Sequence, residues 1–199
     1  GNDFATFPDF PSEIRAPLGT TYGVSSYQIQ FAAKDIYTPG DTPEVLVCFN
    51  PAALKVNLDV VNKGGLIIVN EDEFTDKNLK KAGFDGNPLD PSSDTLKDFR
   101  VHKIPITTLT LQALDEMDMG HGDKLRCKNF LALGVVSWLF SRPLEPIEKF
   151  LNKKFGKKPQ VLEANLKVLH AGFNICDTME IFPVMYKVPP AKLEPGTYR

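Results

Sequence analysis

A chain of 199 residues, 42% hydrophobic and 24% charged, has ample material for one globular core. Its formal net charge of -2 lacks the basic excess of a general nucleic-acid binder. The longest apolar run, near residues 130–140, falls well short of the roughly 20 residues that cross a bilayer, so neither nucleic acid nor membrane is an expected partner.

Residues 1–18 are proline-rich without helical period and read as an extended approach. Residues 11–27, PSEIRAPLGTTYGVSSY, gather unusual chemistry. Gly19 and Gly23 permit close backbone approach, Thr20, Thr21, Ser25 and Ser26 offer hydroxyls beside Tyr22, and Arg15 offers a planar cationic fork. The set suits an anionic group, and equally suits a tight chain reversal.

Residues 27–31 alternate Tyr27, Ile29, Phe31 against Gln28 and Gln30, which predicts a half-buried strand with the apolar set inward. A turn over 37–41 leads to residues 44–49, EVLVCF, apolar throughout as in a strand covered on both faces. Asn50 is a good N-cap and Pro51 a good first helical residue, predicting a helix over 51–61 closed by Gly64 and Gly65. Residues 66–69, LIIV, form the next buried strand, followed by Asn70 and a short helix over 76–82. Strand, helix, strand, helix in this order implies an α/β fold with right-handed crossovers.

After a polar loop over 84–98, residues 99–106 read as a fourth strand. Thr108 is placed to cap a helix over 109–117, and residues 117–123 make a turn. Residues 124–140 read as one long core helix, apolar almost all round in its second half. The face of Val135, Trp138 and Leu139 is therefore expected to meet another subunit or the rest of a longer chain. Two further helices follow, over 144–155 with Ile147, Phe150 and Leu151 inward, and over 159–176 with Leu162, Leu166, Leu169 and Phe173 on one stripe. The last stretch, 183–199, looks like a semi-extended proline-rich linker.

Cys48, Cys127 and Cys176 are widely spaced in apolar sequence, the pattern of buried free thiols in a reducing, cytoplasmic compartment. No signal peptide is visible. No CxxC, HExxH or GxSxG occurs, and His102, His121 and His170 are isolated residues expected at the surface or at helix ends. Gly122-Asp123 with Asn152 downstream only loosely resembles a thiamine-diphosphate and magnesium motif, because Lys124 stands where a second glycine belongs. Asn50 and Asn70 both fall at carboxyl ends of predicted parallel strands, the edge where open α/β sheets bind ligands; ordinary capping is the competing reading. Lys153, Lys154, Lys157 and Lys158 fit either an acidic partner or a solvated helix end.

Taken together, FPDFPSEIRAPLGTTYGVSSYQI, TPEVLVCFNPAALKVNL, GGLIIVNEDEF, NLKKAGFDGNPL, LRCKNFLALGVVSWLFSRPLEP and YKVPPAKLEPGTYR closely resemble the 2-oxoacid:ferredoxin oxidoreductases. The likeness is to the N-terminal γ-type domain of the fused γ–α subunit of the 2-oxoglutarate enzymes and covers essentially the whole chain. It implies a Rossmann-like open, mostly parallel sheet flanked by helices, with a helical C-terminal part. Residues 1–182 would form the γ-type domain, lacking the strand, glycine-rich turn and helix with which the family's domain opens, and 183–199 the linker toward an α domain.

The reaction implied is CoA-dependent oxidative decarboxylation of 2-oxoglutarate to succinyl-CoA and carbon dioxide, with reduction of ferredoxin. Thiamine diphosphate, Mg2+ and an iron–sulfur cluster would serve it from the partners, the α domain and a β subunit. This stretch alone is expected to be inactive and to hold no catalytic or metal residue. It would contribute packing and contacts to CoA or to a neighbouring domain from Arg15, Gly19, Thr20, Thr21, Tyr22, Gly23, Asn50 and Asn70. The alternative is a standalone nucleotide- or CoA-binding or interaction module of the same fold.

Overall fold

In a computed structural model the residues described are 3–9, 26–34, 36–37, 40, 42–178, 182 and 185–189. The chain divides into two compact units, residues 1–104 with 188–199, and residues 105–187.

The first unit holds two sheets. Strands β1 (Asp3–Asp9) and β2 (Ser26–Ala32) pair antiparallel, from Asp3 opposite Ala32 to Asp9 opposite Ser26. The proline-rich start therefore contains a strand that its composition concealed. Pro8 is tolerated because a two-stranded sheet has only edges, where a missing N–H need break no ladder. The alternation expected in β2 is present with its faces exchanged. Tyr27 and Ile29 are 58% and 55% exposed, while Gln28 and Gln30 are half-buried.

The second sheet is parallel, in the order β3 (Val45–Cys48), β4 (Leu66–Asn70), β5 (Arg100–Ile104). Every residue of the central β4 is buried, as its unbroken LIIV predicts. Helix α1 (Pro51–Asn57) crosses from β3 and ends early in a 3-10 turn, Leu58–Val60, rather than continuing to 61. Helix α2 (Asp76–Ala82) is capped by Thr75, whose hydroxyl accepts from the Asn78 N–H at 3.4 Å, and is closed by Gly83 at φ 75. Cys48, Leu54, Ile67, Val69, Phe74, Leu79, Leu89 and Leu96 form one core cluster, so the loop over 84–98 also supplies core residues.

The second unit is helical. Helix α3 (Ile106–Ala113) starts directly after Pro105, earlier than Thr108 suggested; a proline that ends a strand is equally suited to open a helix. Thr108 thus lies inside the helix. The long helix expected over 124–140 is two, α4 (His121–Leu125) and α5 (Lys128–Leu139). At the break the Cys127 N–H bonds to Lys124 O and the Phe130 N–H to Cys127 O, a tightened i to i−3 pattern that leaves the hydrophobic spacing nearly unchanged and so hides from it. Helices α6 (Glu145–Phe155) and α7 (Pro159–Thr178) complete the unit.

The inward stripe of α7 is Ala164, Asn165, Val168, Leu169, Gly172 and Cys176, while Leu162, Leu166 and Phe173 stay half-buried. Small residues win this face because α5 and α7 cross in near backbone contact at Gly134 and Gly172. In α6 Leu151 is buried, but Phe150 is 52% exposed rather than inward. The expectation of a partner over Val135, Trp138 and Leu139 is overturned: they are 1%, 9% and 0% exposed. Trp138 stacks on Phe182 at 6.0 Å, Phe140 on Tyr186 at 5.2 Å, and the Tyr186 N–H bonds to Leu139 O at 2.7 Å. The chain's own Phe182 and Tyr186 cover the end of α5.

Candidate functional site

The residues singled out by sequence fall in two places. Arg15, Gly19, Thr20, Thr21, Tyr22 and Gly23 belong to the connection between β1 and β2 and lie outside the described residues. What is described is its anchorage, since Asp9 and Ser26, at its two ends, are register partners.

Asn50 and Asn70 are brought to one edge of the parallel sheet. Cys48 on β3 is in register with Val69 on β4, so the chain leaves both strands side by side, and Asn70 in turn pairs with Ile104 on β5. This carboxyl edge is the place predicted for them. Their local roles differ. The Asn50 Oδ1 accepts from the Ala53 N–H at 2.8 Å, satisfying a free donor of the first turn of α1. Asn70 is completely buried at the end of β4 and makes no capping bond to the 3-10 turn Glu71–Glu73 that follows. Alternation sets it on the sheet face of Leu66 and Ile68, opposite the Ile67 and Val69 face that builds the core cluster.

One groove of the first unit escaped sequence reading, an open cleft of about 290 Å³ lined by Leu89, Asp90, Ser92, Ser93, Lys97 and Lys103 among others. Lys103, near the end of β5, donates to Leu89 O at 2.6 Å and ties the loop to the sheet. The Asp90 carboxylate accepts from the Ser92 N–H at 3.1 Å and its hydroxyl at 2.8 Å, and these bonds lower its pKa. The Asp-Pro-Ser-Ser run that makes this turn was the available signal.

Among the described residues no group of three His, Cys, Asp or Glu gathers in a metal-binding arrangement, and no helix is long and apolar enough to cross a membrane. The three cysteines are buried and free, as expected. Burial pushes the Cys48 and Cys176 thiols up to about 12, and burial with the Asp123 charge raises Cys127, which leaves all three poor nucleophiles. His121 opens α4 and is exposed, and His170 is exposed on α7 with Nε2 2.9 Å from Glu148 Oε1. His102 departs from expectation by lying half-buried within β5. Lys153, Lys154, Lys157 and Lys158 are exposed around the end of α6, with Lys154 over the rings of Phe150 and Phe155 at 5.3 and 5.5 Å.

Known proteins share both sequence and fold with this chain. It is 51% identical over all 199 residues to the 2-oxoglutarate oxidoreductase subunit KorA of Mycobacterium tuberculosis, of which it spans 30%. A structure of 2-oxoglutarate:ferredoxin oxidoreductase from Magnetococcus marinus, with 2-oxoglutarate, coenzyme A and succinyl-CoA bound, superposes with a TM-score of 0.64 at 25% identity. That match covers 95% of this chain and 28% of the other. The keto/oxoacid ferredoxin oxidoreductase γ subunit of Geobacter sulfurreducens matches at a TM-score of 0.54 and 14% identity, over 89% of this chain and 82% of its own, and shares the fold. The parallel sheet flanked by helices is thus the architecture of oxidoreductase γ subunits. Residues 1–175 match the sequence model of pyruvate ferredoxin/flavodoxin oxidoreductases, and the chain belongs to that family.

Proposed function

We propose that the chain is the noncatalytic γ-type domain, residues 1–182 with a linker over 183–199, of a cytoplasmic 2-oxoglutarate:ferredoxin oxidoreductase. The whole enzyme would convert 2-oxoglutarate and CoA to succinyl-CoA and carbon dioxide while reducing ferredoxin. The observation that carries this reading is the 51% identity to the KorA subunit, sustained across the whole of this chain. Because the chain spans 30% of that relative, it is read as one domain of a longer polypeptide that joins an α domain and works with a β subunit.

In this reading thiamine diphosphate, Mg2+ and an iron–sulfur cluster belong to the other parts of the complex. The buried cysteines, with raised thiol pKa values, are poor nucleophiles, in keeping with a domain that leaves the carbon chemistry to its partners. This domain's own contribution is toward CoA. The loop between β1 and β2 carries Arg15 for a phosphate, with Gly19, Thr20, Thr21, Tyr22 and Gly23 offering backbone and side-chain donors. Asn50 and Asn70, at the carboxyl edge of the parallel sheet, are the second group of candidates.

The test is an assay of the full-length polypeptide with its β subunit. Ferredoxin reduction that requires both 2-oxoglutarate and CoA is expected, with the separate γ domain inactive. An assembled complex that reduces ferredoxin only with a different 2-oxoacid would remove the substrate assignment, and one needing no CoA would remove the proposed role of this domain.

A further inference from the structure

Strand β2 carries the apolar side chains of Tyr27 and Ile29 on the face that a self-sufficient domain would make polar. Tyr27 and Ile29 are exposed, and the register sets Pro8 and Thr6 opposite them, with Thr6 itself exposed. The polar residues occupy the more covered face instead. Gln28 Nε2 donates to Gly40 O at 2.7 Å, and Gln30 Oε1 is buried with no hydrogen-bond partner among the described residues.

Both halves of this arrangement oppose folding in isolation. Uncovered Tyr and Ile leave apolar area in water, and a buried amide oxygen without a donor loses its hydration. A register shift of one residue would exchange the faces. The sequence therefore suits the observed register only when something apolar closes the outer face.

We infer that the outer face of the β1–β2 sheet, centred on Tyr27 and Ile29, is a docking surface for another domain of the same polypeptide. The inference rests on the part of the proposed function that makes this chain one domain of a longer chain. The occupant follows from three observations. The chain spans only 30% of the KorA relative and 28% of the Magnetococcus chain, so most of such a polypeptide is tethered within reach at high effective concentration. Among the exposed side chains described on this face, Thr6, Tyr27 and Ile29, the Tyr27 phenol alone is ionisable, which argues against a charged ligand or an anionic surface. The apolar helix face first expected to meet a partner is covered by Phe182 and Tyr186, so it does not compete for that role.

The test uses the full-length polypeptide with Ile29→Cys, Tyr27→Cys and, as an exposed reference, Lys153→Cys. Maleimide labelling of each is followed by peptide mass spectrometry, and circular dichroism verifies folding. Labelling at positions 27 and 29 is expected to be slower than at 153 by about tenfold or more, set by transient opening of the covered face, and unchanged when the protein is diluted. Equal rates at all three positions overturn the inference. Protection that disappears on dilution also overturns it, in favour of a second copy. The readout needs no turnover, so a chain inactive toward 2-oxoglutarate but protected at both positions removes the functional reading and leaves the docking surface standing.

Discussion

A β-carbon built on Gly134 of α5 would lie 3.1 Å from the carbonyl carbon of Gly172 on α7 and only 2.2 Å from Leu169 O. One built on Gly172 would lie 2.1 Å from Leu131 O. The two helices are thus in backbone contact at these glycines, and the obstructing atoms cannot rotate away as a side-chain tip would. Gly134→Ala and Gly172→Ala should each destabilise the helical unit by about 1–3 kcal/mol or more through overpacking. Because both act on one crossing, the double variant should cost less than the sum. Urea denaturation of the three variants measures this, and additive or negligible losses would contradict the crossing.

Asn50 offers a separation of structure from ligand contact. Its Oδ1 is occupied by the Ala53 N–H, so Asn50→Ala should cost about 1 kcal/mol of stability and Asn50→Asp almost none. If capping is its whole role, neither variant changes the KM for CoA of the assembled enzyme. A changed KM with Asn50→Asp, at unaltered stability, would place this amide in the CoA site.

The parallel sheet was legible because its strands announce themselves. LIIV has no face to spare for water, and Asn50-Pro51 marks the start of α1 without help from the rest of the chain. What failed was which face of β2 and of α7 turns inward, because contacts between distant segments decide it. The period-2 pattern of β2 was read correctly, yet the side that faces inward depends on the partner strand β1 and on what lies beyond. The stripe of Leu162, Leu166 and Phe173 gave way to Ala164, Val168 and Gly172 because the facing helix presents a glycine, which no local pattern in α7 encodes. The carboxyl-edge positions of Asn50 and Asn70 came from topology and were read correctly; the environment of Asn70, wholly buried, was not foreseen.

The buried thiols set an alkaline limit. Cys48 and Cys176 are raised by burial from 9.0 to about 12, so the folded state holds their protons where the unfolded state has released them. Their contribution to stability is fully present below pH 9 and declines as pH rises toward 12. The urea midpoint should fall across that window, and Cys48→Ala should make the fall shallower. Iodoacetamide should leave Cys48 and Cys176 unmodified at pH 8 unless the protein is unfolded. A pH-independent midpoint between 9 and 11 would count against the burial of both groups.

Arg15 is where the proposed CoA role is most exposed to test. The connection that carries it springs from the register pair Asp9 and Ser26, so its two ends are held together whatever the loop binds. A guanidinium–phosphate pair is a charge-assisted hydrogen bond worth about 1.5–3 kcal/mol, so Arg15→Ala should raise the KM for CoA roughly ten- to a hundredfold. The KM for 2-oxoglutarate should not move, because the loss is confined to the second substrate. Arg15→Lys keeps the charge without the planar fork and should recover only part of the affinity. Steady-state kinetics of the assembled complex, varying each substrate in turn, give both constants. An unchanged KM for CoA in Arg15→Ala rules the contact out, and a parallel rise in both constants would mean that the loop supports domain assembly rather than CoA.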